Sequence, residues 1–430
     1  MKAVKGKFFP RGIHIPGRKE LSSECATSSL PLPKEVAIPL KQHIGAPAEP
    51  LVKAGDRVLR GQAIGRATGR VSAGVHASAS GVVTEVAERP DGRGGKCLFV
   101  VIACDEKQEN AFLPPLISPS QEEIRARICE AGIVGMGGAG FPAHVKSAPA
   151  GPVDVLILNG AECEPYLTCD DRIMRERTEE ILRGAEYLKI ALGAREIVIG
   201  IEKNKPEAIA AFEPSALKVV ALKKQYPMGS EKHLTYCCTG RKIPLGKLPA
   251  DAGVSIQNVG TALAVCEAVE QGKPLIERVV TLSGGGLNEP KNLLCPVGTP
   301  LSDLIQACGG VRENAVKFVA GGPMTGTAIT GADAVVTKTT SGFLFLTEEE
   351  TNAEPPTPCI NCGRCASACP MKLLPMQIEF YTAAGEYAEA EKYGGVLSCI
   401  ECGCCSYVCP ARRPLAQAIK TAKEQLRRKA

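Results

Sequence analysis

Two runs near the C-terminus decide the reading: Cys359-Ile360-Asn361-Cys362-Gly363-Arg364-Cys365-Ala366-Ser367-Ala368-Cys369-Pro370 and Cys399-Ile400-Glu401-Cys402-Gly403-Cys404-Cys405-Ser406-Tyr407-Val408-Cys409-Pro410. Both follow C-x2-C-x2-C-x3-C-P, the spacing that holds a pair of 4Fe-4S clusters. Three closely spaced thiolates wrap one face of a cluster, and the fourth points away toward the other. Clustered cysteines also suit zinc or disulfides. Two complete copies of the spacing, each ending in proline, favour iron–sulfur chemistry and single-electron transfer.

The bulk of the chain is ordinary by comparison. Its 430 residues suggest roughly two to four domains. Hydrophobic content of 44% and charged content of 23% fit globular protein. A net charge of +5 is too small to imply nucleic acid. No run approaches the ~18 apolar residues of a membrane span. There is no Trp, and Met1 to Pro10 lacks an apolar leader core. The expectation is a soluble, intracellular chain. The 20 cysteines would suit a secreted disulfide scaffold, but the length and missing leader argue against one. The end is basic, with Arg427, Arg428 and Lys429. It reads as a solvated helix end or as a contact for an anionic surface or partner.

Four segments follow from patterning, within an α/β multidomain chain. In residues 1–112, Glu49 to Gly65 and Val75 to Val86 are short β-branched stretches between Gly and Asp turns, an all-β unit. Residues 113–275 alternate helix and strand. Ser120 to Ala131 and Arg172 to Leu192 have helical periodicity, and Val153 to Leu158, Glu196 to Ile201 and Leu217 to Leu222 read as strands. That alternation predicts a parallel sheet. Residues 276–349 are strand-rich and turn-rich. Residues 350–430 open with a polar, Pro-containing linker from Glu348 to Pro356 and carry the cysteine runs.

Two loops in the second segment carry the remaining chemistry. Gly135-Met136-Gly137-Gly138-Ala139-Gly140-Phe141-Pro142 contains G-x-G-x-x-G. A dinucleotide fingerprint needs a strand before it, and Glu122 to Ala131 reads as helix, so an ordinary Rossmann site is not expected. Gly135, Gly137, Gly138 and Gly140 still let a ligand approach backbone N–H groups closely. Pro142 suits the first position of a following helix, and Lys146 adds a charge for phosphate. A tight turn packed on the sheet is the structural alternative. After the strand ending at Leu158 comes Asn159-Gly160-Ala161-Glu162-Cys163-Glu164-Pro165, then Asp170-Asp171-Arg172. Loops after parallel strands bind ligands. Asn159 can bond a flavin edge, and Glu162 can accept from a ribose or nicotinamide group, which makes it the candidate catalytic residue. A solvated acidic loop is the alternative.

These residues resemble the flavin- and NADH-binding subunit of respiratory complex I. In that family a G-R-G-G-A-G-F-P loop and an N-A-D-E-x-E-P loop enclose FMN. Here Met136 replaces the arginine, and Gly160-Ala161 replace Ala-Asp. Gly229-Ser230-Glu231 is similar to the family's G-E-E segment and Gln257-Asn258-Val259-Gly260-Thr261 to its N-N-V-E-T segment. The resemblance therefore assigns Glu231, Asn258 and Thr261 to non-covalently bound FMN, with Tyr226 a stacking residue. Over residues 6 to 425 the chain resembles the family of C subunits of Rnf electron-transport complexes. Gly12-Ile13-His14, Pro39 to Pro47, Gly132 to Pro142 and Ser283 to Gly310 carry that likeness. It implies an N-terminal barrel-sandwich unit like biotinyl and lipoyl carriers, an α/β FMN domain, a β-grasp soluble-ligand-binding domain and a two-cluster ferredoxin-like α domain. The carrier lysine is missing from Thr68-Gly69-Arg70-Val71-Ser72, so no covalent cofactor is expected there. The ferredoxin pattern implies Cys359, Cys362, Cys365 and Cys409 for cluster I, and Cys399, Cys402, Cys405 and Cys369 for cluster II. Cys404 is an extra thiol, expected to be a bystander.

What the resemblance implies is an oxidoreductase passing electrons between NAD(H), FMN and two 4Fe-4S clusters. The chain would be a peripheral subunit at the cytoplasmic face of the cell membrane. Membrane-embedded partner subunits would couple it to ferredoxin chemistry and to sodium or proton transport, so its own membrane contact would be indirect. A flavoprotein donor to an amino-acid reductase, or a cluster-bearing docking subunit without nicotinamide chemistry, are the alternative readings.

Overall fold

The computed structural model describes residues 2–330, 333–351 and 354–429. Asn352 and Ala353 of the expected linker lie outside them. The central sheet has five strands, all parallel, in the spatial order Val4–Lys5, Lys218–Leu222, Glu196–Glu202, Val155–Gly160 and Val254–Asn258. The inner strands are continuous apolar runs because both faces are covered. Helices Gln121–Glu130, Thr178–Leu192 and Val259–Gln271 pack on one face against Leu156, Leu158, Ile197 and Ile199. Helix Glu231–Thr239 covers the other through Leu234 and Cys237, against Ile157 and Val198.

Local sequence sets the helix ends. Ser120 and Glu123 form a capping box, and Gly193 closes Thr178–Leu192 in the left-handed conformation. The single helix expected from Arg172 is two, Cys169–Glu176 and Thr178–Leu192. Arg177 leaves helical geometry between them, and its guanidinium donates to Glu180 and Glu267. The sheet register pairs Asn159 with Asn258. Two asparagines therefore emerge side by side at the C-terminal edge, where ligands bind in such sheets.

The other units surround this one. Two small antiparallel sheets enclose Val36, Ile38, Val58, Ile64, Val83, Val100 and Ile102 in a barrel-like core. Residues ahead of Glu35 leave that barrel. Val4–Lys5 extends the central sheet, and Ser28–Ser29 pairs with Lys291–Pro296 in the mixed six-stranded sheet of the third unit. Strand pairing over such sequence distance has no local signature. Buried Lys338 ties three units together, its Nζ donating to the carbonyls of Gly74 and Gly132 at 2.7 Å each. Gly132 lies just ahead of the glycine loop, so the clasp fixes where that loop begins. The C-terminal unit is helical, with Pro375–Ala383, Tyr387–Gly394 and Leu415–Lys429 packed around the cysteine runs.

Candidate flavin and cluster sites

The glycine loop is a closed hairpin. Gly135 N–H donates to the Phe141 carbonyl at 2.8 Å, and Ala143 N–H to the Ile133 carbonyl at 2.9 Å. Gly137 and Gly140 have φ of 78° and 71°, which glycine adopts without steric cost. Met136 N–H donates to Thr261 Oγ1 at 3.1 Å and so pins the loop to the first turn of Val259–Gln271. Gly137, Gly138 and Ala139 are exposed at the tip. A Cβ added at Gly138 meets no heavy atom within 4 Å. The tip is thus a cradle with room for a ligand against bare backbone. Pro142 is the N-cap of a single turn, Ala143–Lys146, rather than its first residue.

The sheet edge lies beside this cradle, where a Cβ at Gly137 would stand 3.1 Å from Asn258 Nδ2, and the acidic loop leaves the neighbouring strand. Asn159 Nδ2 donates to the Gly229 carbonyl at 3.0 Å, and its Oδ1 accepts from Ala161 N–H. Asn258 caps the next helix by accepting from Gly260 N–H, and donates to Asp170 at 2.7 Å. Glu162 has a φ of 44°, an uncommon left-handed position for a residue with a side chain. Its Oε1 accepts from Asp170 N–H at 2.7 Å, while Oε2 is buried with no hydrogen-bond partner among the described residues. Lys19 Nζ lies 3.5 Å and Lys205 Nζ 4.0 Å from Oε2. Burial pushes the Glu162 carboxyl up to about 7, against the pull of these two lysines. Lys146 pairs with Glu231 at 2.7 Å. A buried carboxylate flanked by two lysines, paired asparagines and a glycine cradle open at Gly138 form a donor and acceptor set that fits a flavin nucleotide.

The structure does not gather Tyr226 with these groups. It is 4% exposed, and its hydroxyl donates to the Cys402 carbonyl at 2.8 Å and lies 3.5 Å from Glu164 Oε1. It stands between the acidic loop and the second cysteine run. Lys19 and Lys205 were not legible as site residues. Lys19 arrives from the N-terminal arm, and Lys205 follows a strand in a stretch that reads as a solvated turn. The closeness of Glu202, Lys203 and Lys205 to a sheet edge was the one available signal.

Each cysteine run folds alike. Asn361 and Glu401, then Gly363 and Gly403, occupy left-handed positions at equivalent places. The resulting turn aims N–H groups at sulfur: Asn361 to Cys359 at 3.4 Å and Glu401 to Cys399 at 3.3 Å. Such bonds stabilise thiolate and raise cluster potential. Cys359, Cys362, Cys365 and Cys409 line one small cavity. Cys369, Cys399, Cys402 and Cys405 line a second of the same size. The fourth cysteine of each run faces the other run's cavity, as the spacing requires, so the residues fit two clusters. Cys404 is fully buried and packs with Tyr226, Ile13 and Ala368, although it also borders the second cavity.

Comparison with known proteins agrees with this arrangement. Family models match in sequence order: an RnfC barrel sandwich hybrid domain over residues 7–107, a Nuo51 FMN-binding domain over 128–267, an SLBB domain over 279–328 and a 4Fe-4S dicluster domain over 358–412. The C subunit of a proton-translocating ferredoxin:NAD(+) oxidoreductase complex from Clostridium ljungdahlii is 45% identical, covering 98% of this chain and 94% of that protein. The chain belongs to the RnfC family. Two further members are similar along most of their length. The C subunit of an ion-translocating oxidoreductase complex from Rhodobacter capsulatus is 46% identical, covering 96% of this chain and 82% of its own. The C subunit of a Na(+)-translocating ferredoxin:NAD(+) oxidoreductase complex from Acetobacterium woodii is 41% identical, with 98% of each covered. The fold expected from the sequence holds unit by unit in this RnfC chain, as do the FMN and 4Fe-4S assignments.

Proposed function

We propose that this chain is the peripheral, NAD(H)-reactive subunit of a membrane-bound ion-translocating complex, placed at the cytoplasmic face of the membrane. No described helix is long and apolar enough to cross a membrane, and the ion path is assigned to partner subunits. One relative is named for proton and another for sodium translocation. The shared architecture of this subunit therefore leaves the choice of ion to those partners.

When bound, FMN supplies hydride exchange with nicotinamide and one-electron exchange with the clusters. The chain's residues arrange this. Backbone N–H groups of the glycine loop and Lys146 hold the phosphate-bearing ligand, and Asn159, Asn258 and Thr261 fix its orientation. Glu162, largely desolvated, offers an acceptor whose protonation changes near neutral pH. The observation that carries the reading is the wall shared by the two sites. Tyr226 bridges Glu164 of the acidic loop and the Cys402 carbonyl, and Gly12 N–H donates to the Ala368 carbonyl at 3.1 Å across the same seam. The second-run cavity thereby faces the flavin site, while Cys359 and Cys362 of the first are exposed. Cluster II is then the flavin-side centre and cluster I the outward one. The test is anaerobic: the cluster-reconstituted chain, loaded with FMN, is titrated with NADH while flavin and cluster absorbance are followed. Bleaching of both supports the reading; FMN retention without any bleaching overturns it.

A further inference from the structure

Met136 leaves the glycine loop without the cation that the resembling loop carries. A different residue brings a cation to that place. Arg278 lies on strand Glu277–Ser283 of the six-stranded sheet, outside the FMN unit, and is 5% exposed. Its Nη1 rests against Met136 Sδ. The same atom lies 3.2 Å from where a Cβ at Gly260 would stand. Arg278 therefore sits beneath both the glycine loop and the first turn of Val259–Gln271, the two segments that Met136 N–H and Thr261 join.

The charge of Arg278 is not cancelled locally. Nε and Nη2 both donate to the Thr340 carbonyl at 3.2 Å, a neutral acceptor. Asp170 is the nearby carboxylate that favours its charged form, opposing the effect of burial. That carboxylate is in turn bonded to Asn258, and Asp170 N–H holds Glu162. Burying a guanidinium without a carboxylate partner in contact is costly. It is retained where a bound anion repays it, and such groups gather at functional sites. Arg278, Met136, Asp170 and Gly260 also line one cavity between the FMN unit and the six-stranded sheet, under the loop and apart from its exposed tip at Gly137, Gly138 and Ala139. The cation is thus held at the floor of the loop, not at the protein surface.

We propose that Arg278 is a positioning residue of the flavin site, supplying from the β-grasp unit the positive charge that the loop lacks at Met136. The inference rests on the FMN reading of the glycine loop. It makes the β-grasp unit part of the flavin site, in addition to being its neighbour. A cation there favours the anionic cofactor, and favours it more once the flavin is reduced and carries further negative charge.

The test compares Arg278→Met, Arg278→Lys and the double variant Met136→Arg/Arg278→Met, each in the full chain with clusters reconstituted. FMN affinity is read by quenching of flavin fluorescence, and the flavin midpoint potential by anaerobic spectroelectrochemistry. Arg278→Met should weaken FMN binding at least about tenfold, the scale of a lost charge-assisted interaction, and lower the potential. Arg278→Lys should fall between. The double variant, which returns the charge through the loop, should recover most of both. A merely structural role through Thr340 is not rescued by an arginine at 136. Unchanged affinity and potential in Arg278→Met, or a double variant as impaired as the single one, overturns the proposal. Gly138→Val separates the two levels: if it weakens FMN binding while Arg278→Met changes nothing, only the role of Arg278 fails. If neither variant changes FMN binding, the flavin assignment itself fails.

Discussion

Gly138→Val isolates the flavin cradle from the fold that carries it. A Cβ at Gly138 meets no heavy atom within 4 Å, and the residue is outside the left-handed region. The substitution should therefore change stability by no more than about 0.5 kcal/mol, as for exposed sites without special geometry. The added isopropyl group occupies the space over the backbone N–H groups. Forcing a ligand onto a filled site costs about 1–3 kcal/mol, which is a loss of affinity of roughly five- to 150-fold. Gly140→Ala is the contrasting control. Its φ is 71°, and its Cβ would lie 2.6 Å from Thr339 Cγ2. That variant should lose about 1–2 kcal/mol or more of stability from the left-handed backbone alone. Fluorescence titration with FMN, run beside thermal unfolding, reads both effects. Unchanged FMN affinity in Gly138→Val, or a stability loss equal to that of Gly140→Ala, refutes the cradle.

Three further outcomes follow from the geometry. Cys369→Ala should abolish the cluster held mainly by the second run and Cys409→Ala the other, each leaving one cluster signal by electron paramagnetic resonance; loss of the run's own cluster instead refutes the crossed ligation. Glu162 rises from the ordinary 4.5 to about 7 in the folded chain, so the FMN-free fold holds an extra proton between those values. Its stability should fall as pH rises across that window, by on the order of a few kcal/mol, and Glu162→Gln should flatten that part of a pH series of denaturant melts. Tyr226→Phe removes the bond to the Cys402 carbonyl and should cost about 1 kcal/mol of stability without changing FMN content; loss of FMN in that variant would instead place Tyr226 in the flavin pocket.

Sequence reading reached the elements whose chemistry is local. The cysteine spacing shapes its own turns, which is why equivalent left-handed residues recur in both runs. The apolar runs Val153 to Leu158, Glu196 to Ile201 and Leu217 to Leu222 announced a parallel sheet, but the strand Val254–Asn258 did not stand out, and only the register sets Asn159 beside Asn258. What stayed hidden depends on contacts between distant segments. Val4–Lys5 reads as a tail until Lys218–Leu222 accepts it. Lys19 and Lys205 look solvated until the fold closes them over Glu162. Tyr226 sits in a stretch similar to a flavin pocket, yet its hydroxyl bonds a residue 176 positions away.

In the proposed electron path, hydride chemistry at the glycine loop joins single-electron transfer through the cysteine runs, and cluster II stands next to the flavin. Rapid anaerobic mixing of the FMN-loaded chain with NADH follows that order in time, comparing the intact protein with Cys399→Ala. Flavin reduction should occur in both proteins, followed by cluster reduction in the intact chain and a cluster I that stays oxidised in the variant. Reduction of cluster I at the same rate in both proteins would contradict the path.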